Sequence, residues 1–586
     1  MKKKIFSVLA LLLCLLLSLI PFSGCKGTTA PGGDNIVIDS TKTQLYVRYY
    51  AGGLGTDWIK EICSRFENDF KNVSFEEGKK GVQIVPKFEK TQVASDQIRD
   101  NNSDVFFMEH MSYSDAVNKG FLLNISDVVK DYAVTGYEGE GAFDESKLVR
   151  ESENTIAAKI SPQHRMYYQR DGEYYGMPFY TGVHNIIYNK ELFDTNNLYF
   201  NAASDQSLSI FDEMIASDAA VLAGQNKWFV SSKTEKKSKG PDGKEGTYDD
   251  GMPATYGQLW VLMERMVRFG ITPFILQEGT ADHYYCAWDK DIWADAEGAE
   301  QMALNLSWSG TATNLLDGAQ KKYSEKITPE NAYLLQGQEG RLKALEFVEM
   351  ILSNPKYVYD KSFDGSFTHL NAQQFFVKAG QEGNYISMKY GMLVDGSWWN
   401  VEAKDQFSNN SFMKREFGVM PLPKTDASKV GSVNADGTHI TKVDCYDANI
   451  FIKANIAKER ETVAKLFVSY ASNDESLNIF SKYTQAFRSM KYSLSEDTLA
   501  NMTYYGKSAY EVYKDSYIIS WLPTTEVTQN NLSNLAYRVY AVTNGRSDGI
   551  SPMAALHNKR FDSASGYFEA TKSYYANNWT KLVNLK

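Results

Sequence analysis

Between residues 45 and 108, short apolar runs alternate with an amphipathic stretch at 57–68. On one face of that stretch lie Trp58, Ile62 and Phe66, at the spacing of an α-helix. The predicted elements are a strand at 45–50, a helix at 57–68, and strands at 82–88 and 104–108. Strands separated by helices predict an α/β fold with a parallel sheet.

Two polar or glycine-rich positions come directly after these strands. Gly52 and Gly53 follow the first strand, and Glu109 and His110 follow the third. Because ligands of open α/β sheets bind beyond the carboxyl ends of the strands, both positions are candidates for a binding site. The glycine turn lacks the GxxxxGK and GxGxxG spacings, so the sequence does not support nucleotide binding.

The first 24 residues have the pattern of a secretory signal. A Lys-rich start is followed by a Leu-rich apolar run at 5–20 and then by Ser23, Gly24 and Cys25. This ending resembles a bacterial lipobox, in which the cysteine is acylated and the bond before it is cut. We therefore expect residues 1–24 to be a lipoprotein signal peptide, Cys25 to carry the lipid, and 25–40 to be a flexible tether. The alternative is a short transmembrane anchor.

Composition narrows the class of partner. The 586 residues are 43% hydrophobic and 23% charged, which is ordinary for a globular protein, and the formal net charge is -10. An acidic chain does not favour nucleic acid, whose phosphates require clustered Lys and Arg. Aromatic residues make up 13%, which fits either a Tyr-rich core or stacking surfaces for ring-shaped ligands. Cys63, Cys286 and Cys445 show no metal-binding spacing and are expected to be small buried residues.

Six blocks in order along the chain resemble the extracellular solute-binding proteins of ABC importers, in the sugar-binding branch that includes maltose-binding protein. The blocks are 104–123, ending in Lys-Gly-Phe-Leu-Leu; 174–193, with Gly-Met-Pro-Phe-Tyr and Tyr-Asn-Lys; 271–274; 392–399, with Asp-Gly-Ser-Trp-Trp; 418–423; and the predicted helix at 459–471 with the Asp-Glu that follows it. The chain is longer than is usual in the family, so insertions are expected at 194–256 and 323–375.

This resemblance implies an architecture. It predicts an α/β fold of two lobes, as in periplasmic binding proteins, joined by hinge strands around a ligand cleft. Lobe one is expected at 41–178 and 440–494, and lobe two at 180–438 and 495–586.

The resemblance also implies a function. A monomer held by its lipid to the extracytoplasmic face of the cell membrane would bind a carbohydrate, an oligosaccharide above all, and deliver it to the transmembrane subunits of an ABC permease. A non-sugar solute such as a peptide, or a surface sensor or adhesin with the same fold, are the alternatives. Paired carboxylates also occur in glycosidases. However, the sequence has no HExxH or GxSxG motif, and the family performs no chemistry, so we expect no enzyme.

The ligand residues are expected where the matching blocks reach the cleft. Sugars need aromatic planes for stacking and polar groups for paired hydrogen bonds. The candidates are Trp398 and Trp399 after Asp-Gly-Ser; Tyr180 and Thr181 at the first crossing; Glu109 and His110; and Gln277, Glu278, Tyr284 and Tyr285. Trp398 matches the stacking tryptophan of the family best. The alternative for both tryptophans is a place in the core.

A loop at 240–251 alternates Asp and Gly. Such loops suit calcium, since a hard cation needs several oxygens on a sharply turning backbone. Asp242, Asp249 and Asp250 are the candidate ligands of a structural calcium ion, although the EF-hand spacing is not met. A plain Asp-Gly turn is the alternative. No other cofactor is expected.

Overall fold

The computed structural model describes residues 36–109, 113–213, 216–277, 283–318, 321–380, 385–407, 415–445, 447–535 and 552–585. The expected signal peptide, Cys25 and most of the tether lie outside these residues. Among the described residues there is no helix with the length and hydropathy needed to cross a membrane.

The strands and helices are numbered in chain order. The strands are β1 (Thr43–Tyr50), β2 (Val73–Ser74), β3 (Val82–Glu89), β4 (Val105–Glu109), β5 (Tyr132–Tyr137), β6 (Gly141–Ala142), β7 (Leu148–Thr155), β8 (Gln169–Arg170), β9 (Glu173–Tyr174), β10 (Met177–Pro178), β11 (His184–Asn189), β12 (Thr272–Ile275), β13 (Gly310–Asp317), β14 (Lys321–Ile327), β15 (Tyr390–Gly396), β16 (Phe417–Met420), β17 (Ile440–Asp444), β18 (Ala448–Ile452) and β19 (Ser516–Ser520). The α-helices are α1 (Asp57–Asp69), α2 (Tyr113–Asn118), α3 (Ser126–Val129), α4 (Ile156–Lys159), α5 (Pro162–Tyr168), α6 (Lys190–Asn196), α7 (Leu208–Asp212), α8 (Ala216–Ala223), α9 (Tyr256–Arg268), α10 (His283–Glu297), α11 (Ala299–Ser307), α12 (Glu339–Leu352), α13 (His369–Lys378), α14 (Trp399–Glu402), α15 (Lys458–Tyr470), α16 (Asp474–Thr484), α17 (Glu496–Asn501), α18 (Tyr504–Lys514), α19 (Glu526–Leu535), α20 (Pro552–His557) and α21 (Ala564–Leu582).

The first lobe is built on a five-stranded sheet in the order β10-β18-β4-β1-β3. Strand β1 runs parallel to both β3 and β4, as the strand–helix–strand pattern predicts. Helix α1 covers one face with Trp58, Ile62 and Phe66, which are fully buried in a single hydrophobic cluster with β1 and β4. The predicted elements at the start of the chain are therefore confirmed.

The second lobe is built on a four-stranded sheet in the order β12-β15-β11-β16. Strand β11 is buried along its whole length because both faces of the sheet are covered. Its successive residues Ile186 and Ile187 belong to two different hydrophobic clusters, since side chains of a strand alternate between faces.

In the part of the chain that the structure describes, the passage between the lobes occurs three times: at 179–183, between β17 and β18, and at 485–495. The crossings lie side by side: the Thr181 amide donates to the Phe487 carbonyl at 3.0 Å, and the Gly182 amide donates to Asp444 Oδ1 at 3.0 Å. This arrangement is the expected two-lobe fold with several hinge segments.

Strand β17 belongs by its packing to the second lobe. It pairs in parallel with β19, and its Val443 lies in a hydrophobic cluster of the second lobe. The chain enters the first sheet only at β18. The returning segment of lobe one is expected to begin at 440. In the structure, 440–444 still belong to the second lobe, and the chain crosses after them.

The C-terminal segment packs behind the second lobe. Helices α20 and α21 share a hydrophobic cluster with Leu342 and Leu345 of α12, and the ring of Trp579 of α21 packs at a tilt on that of Trp308, with centroids 5.0 Å apart. These helices and the β13–β14 hairpin enlarge the second lobe.

Candidate functional site

The two lobes touch where the glycine turn after β1 meets the end of β15. A Cβ atom placed on Gly53 would lie 2.6 Å from Cδ1 of Trp398, and one placed on Gly55 would lie 3.0 Å from Val401 Cγ1. At the rim, Lys404 Nζ of the second lobe lies 3.5 Å from Asp57 Oδ2 of the first. The lobes are therefore in a closed arrangement, with Trp398 at the contact.

Trp398 is almost fully enclosed, with 5% of its surface exposed. Its ring meets the ring of His184 edge to face at 5.5 Å, and it packs in the hydrophobic cluster of the opposite lobe. Because Trp398 belongs to one lobe and packs on the other, its ring becomes more exposed when the lobes move apart. Its assignment as a stacking residue for a ligand stays a prediction.

Glu109 and Tyr180 form the polar floor on the side of the first lobe. The Tyr180 hydroxyl donates to Glu109 Oε1 at 3.0 Å, and that oxygen lies 3.6 Å from the position of a Cβ on Gly52. Burial raises the pKa of Glu109 from 4.5 to about 7, against the Tyr180 hydrogen bond and with a smaller contribution from the charge of Glu402. The structure thus brings these two predicted residues together beside the glycine turn.

Glu402 belongs to the second lobe, and its charge acts on Glu109 across the contact between the lobes. The sequence analysis missed this residue. The Gln373 amide donates both to Glu402 Oε2 at 2.7 Å and to Asp395 Oδ2 at 3.0 Å. Burial raises the pKa of Asp395 well above its usual range, whereas for Glu402 hydrogen bonds from His369 and Gln373 outweigh burial and lower the pKa. A carboxylate one helical turn after Trp398 was the available signal, because Trp398 directly precedes α14 and Glu402 ends it, both after β15.

The remaining predicted residues lie in different surroundings. Thr181 is in the hinge, where its hydroxyl bonds to that of Ser489 at 3.1 Å, beside a cavity of about 20 Å³. Gln277 is buried just after β12. His110 and Glu278 lie outside the described residues, and Tyr284 and Tyr285 fall in the first turn of α10, where the structure does not describe the side chains.

Trp399 faces away from the lobe contact. It is fully buried and packs edge to face on Phe417, Phe407 and Tyr505 at 5.1–5.7 Å, within a cluster behind the second sheet. This is the core position that the sequence left open as the alternative for the tryptophan pair.

Replacing Trp399 by alanine should therefore lower stability, not affinity. Truncation of a buried tryptophan costs about 3–5 kcal/mol, so we expect a thermal unfolding midpoint several degrees lower and an unchanged dissociation constant at temperatures where the variant is folded. Differential scanning calorimetry and titration calorimetry check the two halves. A loss of affinity without a lower midpoint would instead make Trp399 a ligand contact.

Binding should weaken as the pH rises, because of Glu109. Opening the lobes would hydrate this carboxyl and return its pKa from about 7 towards 4.5, so the closed form holds more protons between those values. Closure is then favoured at pH 5 and loses that advantage as the pH rises through 7, by about tenfold or more in affinity. Titration calorimetry from pH 5 to pH 8 measures this slope.

The variant Glu109→Gln should remove most of the slope. Glu67→Gln is the matched control, because burial also raises the pKa of Glu67, which accepts the amide of Ile84 near the start of β3, the edge strand of the first sheet. A slope that survives in Glu109→Gln and disappears in Glu67→Gln would contradict the assignment.

In the Asp/Gly loop the carboxylates bind backbone amides. Asp249 Oδ2 accepts the Asp242 amide at 3.0 Å, Asp242 Oδ1 accepts the Lys244 amide at 2.7 Å, and Asp250 Oδ2 accepts the Gly246 amide at 2.9 Å. Within the described residues, no three His, Cys, Asp or Glu side chains form a group that could hold a metal ion. These bonds account for the turns of the loop, and a structural calcium there stays a prediction.

Comparison with known families gives one match. Residues 52–251 match the family model for bacterial extracellular solute-binding protein, which confirms the resemblance over that part of the chain. No curated protein matches the chain.

Among solved structures, several similar chains are solute-binding proteins. The GacH receptor of Streptomyces glaucescens, solved unliganded and with acarbose, is 13% identical, with 92% of this chain and 98% of that chain covered and a TM-score of 0.47. A family 1 extracellular solute-binding protein from Bifidobacterium longum subsp. infantis is 14% identical, with 92% and 99% covered and a TM-score of 0.45. RafE from Streptococcus pneumoniae in its apo form is 14% identical, with 92% and 99% covered and a TM-score of 0.47.

Proposed function

We propose that this protein is the substrate-binding component of an ABC importer and that its ligand is a carbohydrate, in particular an oligosaccharide. The observation that carries the proposal is the position of Trp398, Glu109 and Glu402 at the contact between two lobes joined by three crossings. The match of residues 52–251 to a solute-binding family supports it. No catalytic step is part of the proposal.

The chemistry of this group favours a sugar. The weakly apolar face of a sugar ring packs on an indole plane, and its hydroxyls donate to carboxylates. Trp398 supplies the plane, Glu402 supplies a carboxylate, Glu109 supplies a carboxyl group from the opposite lobe, and the Tyr180 hydroxyl orients Glu109. A ligand held by groups of both lobes binds best when the lobes are closed, so it shifts the population towards the closed form.

The wider setting follows from the N-terminal pattern and the family. We propose that Cys25 anchors the protein by a lipid to the extracytoplasmic face of the cell membrane, that it acts as a monomer, and that the closed lobes dock on the transmembrane subunits of a permease. Mass spectrometry of the protein extracted from membranes tests the lipid on Cys25.

A thermal-shift screen tests the ligand class. The protein from Lys26 onward is heated with mono- and oligosaccharides, with amino acids and peptides as controls. A ligand that binds only the folded state raises the unfolding midpoint by mass action. A shift with one class of glycan supports the proposal and identifies the class. A shift with a peptide alone would retain the transport role and reject the carbohydrate, and no shift with any solute would favour a sensor or adhesin.

A further inference from the structure

Strand β17 runs just before the second crossing, and its outer edge is bonded to a helix, not to a strand. On one side it pairs with β19. On the other side, the Thr441 amide donates to Asp295 Oδ1 at 2.8 Å, and the Val443 amide donates to Asp291 Oδ1 at 2.6 Å. Two carboxylates of α10 thus take the place of a neighbouring strand.

The spacing of the two elements explains why this works. Residues four apart on a helix are about 6 Å apart along its axis, and residues two apart on a strand are separated by about 6.6 Å. Asp291 and Asp295 therefore meet alternate amides of β17, which are the amides that point away from β19.

Each carboxylate is also paired with a buried lysine that holds a further carbonyl. Lys424 Nζ lies 2.9 Å from Asp295 Oδ2 and donates to the His439 carbonyl at 2.5 Å. Lys442 Nζ lies 3.4 Å from Asp291 Oδ2 and donates to the His184 carbonyl, at the start of β11, at 2.5 Å. The ion pairs join β17 to the second sheet as well as to α10.

The start of the strand pair is held to the same lobe. Asp515 accepts from the Tyr248 hydroxyl at 2.9 Å through Oδ2, and its Oδ1 lies 2.7 Å from His439 Nδ1. Hydrogen bonds therefore hold β17 to the second lobe on its outer edge and at its beginning. Directly after Asp444 the chain leaves for the first sheet, and the Gly182 amide of the first crossing is bonded to that residue.

We propose that Asp291 and Asp295 are positioning residues for lobe closure. They hold β17 as a rigid part of the second lobe, so that the bend between the lobes does not extend into this strand. Ligand affinity then depends on these two carboxylates. They act by holding β17 in place and not by contact with Trp398, Glu109 or Glu402. This inference rests on the proposed function, in which closure around a ligand determines affinity.

The variants Asp295→Asn and Asp295→Glu test it. Asparagine still accepts an amide hydrogen but loses the attraction to Lys424, and glutamate keeps the charge but displaces it by one methylene. We expect faster hydrogen exchange at the Thr441 amide and a larger radius of gyration by small-angle X-ray scattering. For the saccharide identified by the thermal-shift screen, the dissociation constant should be about tenfold higher, which is within the usual range of coupling between sites. Asp291→Asn should act in the same way at Val443.

Asp104→Asn is the matched control. Asp104 is also fully buried, accepts the Tyr46 amide at 3.0 Å and pairs with Arg460 at 3.2 Å, but it lies in the first lobe, directly before β4. It should lower the thermal midpoint as the other variants do and leave the dissociation constant within about twofold, as expected for a site remote from closure. The variants of Asp291 and Asp295 are compared with Asp104→Asn at an equal decrease in the thermal unfolding midpoint. If they change the affinity no more than Asp104→Asn does, Asp291 and Asp295 contribute only to stability and the inference is wrong.

The scattering and exchange measurements need no ligand. If the wild type binds no saccharide, the proposed function fails, but a larger radius of gyration in Asp295→Asn and not in Asp104→Asn still supports the positioning role. An unchanged radius together with unchanged exchange at Thr441 would overturn it.

Discussion

Replacing Gly53 by alanine is expected to weaken ligand binding by about 5- to 150-fold while leaving the unfolding midpoint of the unliganded protein nearly unchanged. The added Cβ would lie 2.6 Å from Trp398 Cδ1 and 2.9 Å from Cγ in the closed arrangement, and such overpacking costs about 1–3 kcal/mol. When the lobes are apart the methyl group meets nothing on the other lobe, so the cost falls on closure alone. Titration calorimetry with the ligand found in the screen measures it.

Gly136→Ala is the control for this substitution. Gly136 lies in β5 of the same lobe, and a Cβ placed there meets no atom within 4 Å. Affinity should be retained. An equal loss of affinity in both variants, or none in Gly53→Ala, would show that the Gly53 contact does not limit closure.

The second large effect is expected from Trp398→Ala. Loss of the ring removes the stacking plane and the surface on which the Gly53 turn rests. Truncation of a buried aromatic anchor at the centre of an interface typically costs at least about 2 kcal/mol, which is a dissociation constant about thirtyfold higher. The fold should remain, because Trp398 sits at the contact between the lobes and not inside either sheet.

Trp398→Phe separates the two roles of this side chain. It keeps an aromatic plane and should recover a large part of the affinity. Because Gly53 and Trp398 touch, their variants should not be additive, and Gly53→Ala should cost less in the Trp398→Ala background. An unchanged dissociation constant in Trp398→Ala would overturn its assignment as a ligand residue.

Local patterns were sufficient for the elements of the first lobe. The helix beginning at Asp57 and strand β1 depend on periodicity within a dozen residues, and there the structure agrees with the prediction to within two residues. The position of the candidate group at strand ends was also predictable, since Glu109 and Trp398 each follow an apolar strand. These features require only the chain order and the geometry of a parallel or mixed sheet.

Two assignments required contacts between residues far apart in the chain. Trp398 and Trp399 are neighbours with the same side chain, yet one meets Gly53 across the cleft and the other packs on Phe417. Glu402 became part of the site only when α14 placed it beside Gln373.

The sequence by itself therefore determined the α/β class, the first-lobe elements and the strand ends that carry the candidate site, because periodicity and chain order are local properties. The tertiary structure alone decided which tryptophan meets the other lobe, which carboxylates are buried together, and that β17 is held by Asp291 and Asp295 of α10. Those outcomes depend on tertiary packing between groups that lie from 22 to more than 150 residues apart in the chain, and no local pattern encodes them.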